Sequence, residues 1–200
     1  MNNKLIVRIS EGLGNQLFMY SNAYTLSKKI NYNLFIDDES SYMYKNIRSY
    51  LLNNFHITGK IVNNNLKFNN YGKNIIRKLK IKIDKYKKHK EFLIEAKDTN
   101  KQTSYYDYHS NILLNKNTYL EGHFESEKYF INDRYDILNE FKLINENQYR
   151  NNKYLYGLRN ENIVSICVRQ NRFSERPSNK SNLQSIEKSK SFVKETIEYI

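Results

Sequence analysis

Apolar and polar positions alternate along this chain in blocks whose period changes from one block to the next. "KLIVRIS", 4–10, is a continuous apolar run short enough for a buried strand. Behind it Leu17, Tyr20, Ala23, Tyr24 and Ile30 fall within one arc at 3.6-residue spacing, which predicts a helix. "YNLFIDD", 32–38, reads as a second strand closed by two acids. Strand, helix and strand in that order predict a parallel β–α–β opening with a right-handed crossover. A polar middle with Asn-rich turns at 63–65 and 69–70 leads to "EFLIEA", 91–96. "NTYLEGHFESEKYF", 117–130, predicts a strand, a turn at Gly122 and a helix opening at Ser126 with Glu127 in its first turn. A helical segment over 133–143 and a polar stretch over 145–162 precede the apolar strand "NIVSICV", 162–168. The polar loop 169–182 and a helix over 185–200 follow. The expected class is α/β: a first α/β domain over 1–160, then the start of a second over 161–200 that the chain leaves unfinished.

Composition narrows the classes. Two hundred residues with 39% apolar and 14% aromatic content are enough for a real core and argue against disorder. No run approaches a membrane span, and the N-terminus lacks the apolar centre of a signal peptide, so the expected compartment is the cytoplasm. Cys167 is the single cysteine, which rules out a disulfide framework and a thiol cluster for zinc. A net charge of +12 points to polyanions or acidic membrane surfaces if it is clustered, and it is partly clustered. "IIRKLKIKIDKYKKHK", 75–90, mixes Ile75, Ile76, Leu79, Ile81, Ile83 and Tyr86 with lysines. The simplest expectation is an element packed by one side with a solvated basic face; adhesion to a membrane surface or an acidic partner is the other. Lys, Asn, Ile and Tyr are abundant throughout, so the charge alone carries little weight.

The chemistry begins at "EGLGNQLFMY", 11–20, where a strand must turn into a helix within a few residues. Gly12 and Gly14 let backbone approach a ligand, and the helix start offers free N–H groups to an anion. A dinucleotide fingerprint needs a third glycine where Leu17 stands, so a standard nicotinamide site is excluded. Asp37 and Asp38 could form an acidic metal pair, but adjacent side chains diverge in extended chain and turns favour Asp. His56, His89, His109 and His123 show no metal-ligand spacing, and Tyr105, Tyr106 and Tyr108 read as packing before sugar stacking.

Three segments resemble one family. "EGLGNQLFMYSNAYTLS" is similar to the "GGLGNQLFQYA" opening of the α-1,2-fucosyltransferases of glycosyltransferase family 11. "YLEGHFESEKYF" resembles that family's strand followed by "G-aromatic-W-Q-S-E-K-Y-F", and "VSICVRQNRF" falls where it has "V-S-I-H-I-R-R-G-D-Y". "SFVKETIEYI" falls where the family's "Y-Y-x-x-A-I-x-Y-I" helix follows.

The resemblance implies a GT-B-type enzyme of two facing Rossmann-like domains. It implies inverting transfer of fucose from GDP-fucose to a glycan hydroxyl, galactose 2-OH foremost, without a metal or other cofactor. Arg169 takes the first Arg of the family's basic motif and is expected to hold the donor diphosphate. Cys167 stands at its His, Gln170 at its second Arg and Arg172 at its acid, where Arg172 restores a cation. Gly12, Gly14, Asn15 and Gln16 match directly and are expected beside the donor phosphates and the reacting carbon, with Asn15 catalytic alongside Arg169. Glu11 replaces the first Gly, and His123 is an acceptor-side candidate. The expected partners are GDP-fucose, a glycan or lipid-linked oligosaccharide acceptor and the anionic inner face of the plasma membrane, with no nucleic acid. The alternatives are a basic polyanion- or membrane-binding module and a degenerate, inactive homologue.

Overall fold

The computed structural model describes residues 3–43, 48–95, 113–147, 190–192 and 194–195. The chain divides into two compact units, Met1–Glu146 and Asn147–Ile200.

The first unit opens as its periodicity predicts. Strand β1 (Lys4–Arg8) is followed by helix α1 (Leu13–Ile30) and strand β2 (Asn33–Asp37). Asn31 ends α1 in the left-handed region (φ 56°), its N–H donating to the carbonyl of Lys28 at 3.2 Å, which lets the chain enter β2 two residues later. Strand β3 (Lys60–Ile61), helix α2 (Tyr71–Asp84), strand β4 (Lys90–Ile94), strand β5 (Leu114–Glu121) and helix α3 (Arg134–Glu140) follow among the described residues of the unit. The five strands form one parallel sheet in the order β3-β2-β1-β5-β4. Strand β1 lies at its centre, pairing Lys4 with Asn33 on one side and with Asn117 on the other.

Because side chains alternate along a strand, this sheet buries two cores. Leu5, Val7, Ile36, Leu93 and Leu120 pack with Met19, Tyr20, Ala23 and Leu26 of α1 on one face. Ile6, Phe92 and Tyr119 pack with Val62 and Phe68 on the other, where Ile81 of α2 joins them. A parallel sheet covered on both faces is an α/β arrangement. Among the described residues no helix is long and apolar enough to cross a membrane.

Two expectations change. Ser126 does cap a turn, its Oγ accepting from the Lys128 N–H at 3.3 Å, but only a 3₁₀ turn over Glu127–Tyr129 follows. Phe130 leaves helical geometry (φ −143°, ψ 16°) with its ring 5.9 Å from Phe18; a second 3₁₀ turn spans Ile131–Asp133, and α-helix begins only at Arg134. The larger change is α2, which packs by its charged side. Arg77 forks onto Glu121, and the buried Asp84 carboxylate accepts from the N–H groups of Glu91 (2.8 Å) and Phe92 (3.2 Å) at the start of β4. Ile75, Ile76, Leu79 and Ile83 face outward. These polar anchors, which periodicity cannot register, decide which side turns inward.

In the second unit residues 190–192 and 194–195 are helical, inside the helix expected over 185–200, and Ser191 Oγ donates to Glu195 at 2.7 Å. The strand 162–168, the loop 169–182 and the tyrosines 105, 106 and 108 lie outside the described residues.

Candidate functional site at the carboxyl ends of β1 and β5

Ligands of parallel α/β proteins gather at the carboxyl ends of strands, and the loops after β1 and β5 leave the sheet there. After β1, Glu11 adopts a left-handed backbone (φ 65°) and Gly12 caps α1 in extended geometry. The first intrahelical bond runs from the Gln16 N–H to the Gly12 carbonyl at 3.1 Å. The earlier N–H groups of the turn therefore have no helical acceptor, and the first turn carries no acid and no side-chain cap. Neither Gly12 nor Gly14 has positive φ, and a Cβ on either would meet nothing within 4 Å. These glycines leave open space above the turn. The left-handed position that a glycine would ease is held by Glu11.

Gln16 is placed differently from a substrate ligand. It is fully buried; its Nε2 donates to the carbonyls of Glu11 (2.9 Å) and Ser49 (2.8 Å), and its Oε1 accepts from the Leu51 N–H at 2.9 Å. Both its amide protons are taken and the side chain is out of reach of a substrate, so its part is to hold segment 48–51 against the β1–α1 loop. Glu11 likewise is engaged: its carboxylate pairs with Arg48, and its carbonyl accepts from the Tyr42 hydroxyl at 3.3 Å. Burial first, and the Glu11 charge second, push the Tyr42 hydroxyl well above its ordinary pKa.

Asn15 points elsewhere. Its Nδ2 donates to Glu125 Oε1 at 2.9 Å, and His123 Nδ1 lies 3.7 Å from the same oxygen. Two candidates from distant segments thus meet through a carboxylate that no periodicity marks. The Glu125 side chain is 61% exposed and that of His123 54%, so this carboxylate is open to a ligand.

The second loop is built around Glu95, just beyond β4. Its Oε2 accepts from the N–H groups of His123 (2.7 Å) and Phe124 (3.0 Å), and its Oε1 accepts from the Tyr129 hydroxyl at 3.1 Å. Phe124 is left-handed (φ 53°) and buried edge-on to Tyr129. A Cβ on Gly122 would stand 2.4 Å from Glu95 Cβ and 2.7 Å from the Phe124 ring, so here a glycine is required. Glu95 had a signal in the sequence, an acid closing an apolar strand; Arg48 had none.

Cations flank the strand ends. Arg77 reaches Glu121 with Nε at 2.7 Å from Oε1, and Arg8 Nη1 lies 3.9 Å from Oε2 while its Nη2 donates to the Ser40 carbonyl at 3.1 Å. Burial pulls the Arg8 guanidinium below its ordinary pKa, against the pull of Glu121. Asp37 Oδ1 accepts from the N–H groups of Glu39 (3.3 Å) and Ser40 (3.0 Å), closing a turn, while Asp38 pairs with Lys67 at 2.7 Å. The two acids therefore face separate partners. Arg169 and Arg172, together with Cys167, lie outside the described residues. Compared with protein-family models, with curated proteins and with solved structures, the chain matches none.

Proposed function

We propose that the chain acts in inverting transfer of fucose from GDP-fucose to a hydroxyl of a glycan acceptor, galactose 2-OH foremost, on a GT-B-type scaffold. The observation that supports this reading is the meeting of Asn15 and His123 at Glu125. The two segments that resemble the family's first hallmarks adjoin at the ends of neighbouring parallel strands, beside an open helix start and two glycines with free space above them.

In this proposal the acceptor oxygen forms a bond to the anomeric carbon of fucose as the bond from that carbon to the diphosphate breaks. The electron pair leaves with GDP. The acceptor proton passes to the Glu125 carboxylate, which Asn15 orients. Charge building on the diphosphate calls for N–H donors, which the start of α1 offers, and for cations, the part that the resemblance gives to Arg169 and Arg172. The enzyme would work in the cytoplasm at the inner face of the plasma membrane, on a glycan or lipid-linked oligosaccharide.

The test is steady-state turnover of GDP-fucose. Glu125→Gln and Arg169→Ala are each expected to lower kcat by roughly 10²–10³-fold with folding intact by circular dichroism. Arg169→Lys should recover little, since an ammonium lacks the fork, and Cys167→Ala should stay active. Full activity of Arg169→Ala would overturn the assignment. Salt-sensitive binding of any polyanion, without preference for the guanine nucleotide, would replace it with the basic-module reading.

A further inference from the structure

Helix α2 presents the wrong side of itself to solvent. In a helix of about 100° per residue, Ile75, Ile76, Leu79 and Ile83 occupy one arc, and an arc of that kind ordinarily packs on the sheet. Here these side chains are 43–57% exposed, and the sheet is met instead by Arg77, Asp84 and Ile81. Lys73 and Lys80 are also drawn inward, to the Asn64 carbonyl (2.8 Å) and the Glu91 carboxylate (2.7 Å). The inverted orientation is thus fixed by polar contacts on the inner side.

The composition of the outer side selects an occupant. Lys78, Lys82 and Lys85 are exposed along one rim of the apolar arc, and Lys88 is exposed just beyond it. Asp84, the one acid between Tyr71 and Lys90, is buried against β4, so the outer side carries no negative charge. Tyr71 and Tyr86, 72% and 91% exposed, stand at the two ends of the helix. Branched aliphatics in the centre, lysines at the rim and tyrosines at the ends are what a helix lying in the headgroup layer requires. A strand of nucleic acid would be met by successive aromatic faces and by arginines, whereas the centre of this arc is aliphatic and the arginine of α2, Arg77, turns inward to Glu121.

We propose that the outer face of α2 is a docking surface for an anionic membrane, with Ile75, Ile76, Leu79 and Ile83 entering the lipid and Lys78, Lys82 and Lys85 meeting the headgroups. The helix then lies parallel to the bilayer along roughly 20 Å. This surface is argued from α2 alone and stands whether or not the fucosyltransferase reading does.

The test is flotation of the full chain with phosphatidylglycerol–phosphatidylcholine vesicles and with pure phosphatidylcholine vesicles. Binding is expected to the first only and to weaken as salt is raised. Leu79→Ser/Ile83→Ser is expected to lose more than about tenfold in partitioning, with thermal stability unchanged because both side chains are exposed. Lys78→Ala/Lys82→Ala should lose about 10–30-fold on the anionic vesicles. Lys29→Ala/Lys60→Ala, which removes the same charge elsewhere on the surface, should lose less than about threefold. The proposal is overturned if the chain ignores anionic vesicles, or if the serine variant binds them as the parent does. It is also overturned if light scattering shows a dimer that the serine variant dissociates, since the face would then cover a second copy.

Discussion

Three glycines in the loops after β1 and β5 do different physical work. Gly122 fills a place where a Cβ would stand 2.4 Å from Glu95 Cβ, whereas Gly12 and Gly14 leave room that no protein atom occupies. Gly122→Ala is therefore expected to destabilise by about 1–3 kcal/mol, as overpacking does. Gly14→Ala should be neutral or stabilising by up to about 1 kcal/mol, because it replaces glycine within α1. If the space above Gly14 receives substrate, this stabilised variant will nonetheless lose turnover, and urea titration beside kinetics separates the two effects. Glu11 marks the opposite case, a residue that keeps a left-handed backbone beside its ion pair with Arg48.

Elements are joined by a few polar anchors. The Tyr20 hydroxyl of α1 donates to Glu140 of α3 at 2.5 Å, and Glu140 also accepts from the Thr58 N–H at 2.7 Å, so two helices and the approach to β3 meet at one carboxylate. Burial first, and Glu140 second, raise the Tyr20 hydroxyl well above its ordinary pKa. A second anchor, Lys67, holds Asp38 (2.7 Å) and Glu39 (3.0 Å) beyond β2. Hydrogen bonds from Asn69 and Lys67 depress the Glu39 carboxyl below 4.5, so its stabilisation is present above that value and is lost as pH falls through the depressed one. Burial pulls Lys67 down, but its bonds to Asp38 and Glu39 outweigh this and raise it above 10.5; its stabilisation is lost as pH rises through the raised value. Lys67→Met is thus expected to cost about 1–3 kcal/mol near neutrality, with the gap to the parent narrowing in acid and in strong base, as urea midpoints across pH would show. Such anchors also mark where the sequence stops being legible. The runs at 4–10 and 32–38 and the period through Tyr20 and Ala23 place β1, β2 and α1 correctly, because burial on a strand or helix face is a local pattern. The orientation of α2 and the hydrogen bond made by Glu125 are not local. Each depends on a partner dozens of residues away, Glu121 for Arg77 and Asn15 for Glu125.

At the scale of the whole molecule, β1 takes one neighbour from close by in the chain and the other from far away. β2 ends at Asp37, whereas β5 begins at Leu114, about 77 residues further along. On a ribosome adding roughly 5–20 residues each second, β1 and β2 would wait about 4–15 s before the strand that closes their open edge exists. An unpaired apolar edge is an invitation to other chains, so newly made protein is most vulnerable to aggregation in that interval. Refolding carries the same asymmetry, because pairing β1 with β5 must first close a long loop. In pulse-labelled hydrogen exchange, the amides of Asn33–Asp37 are expected to gain protection before those of Leu114–Glu121; simultaneous protection would mean that the sheet closes in a single step. A chaperone that holds back the first forty residues would then raise the yield of folded protein more than one acting after β5 has emerged.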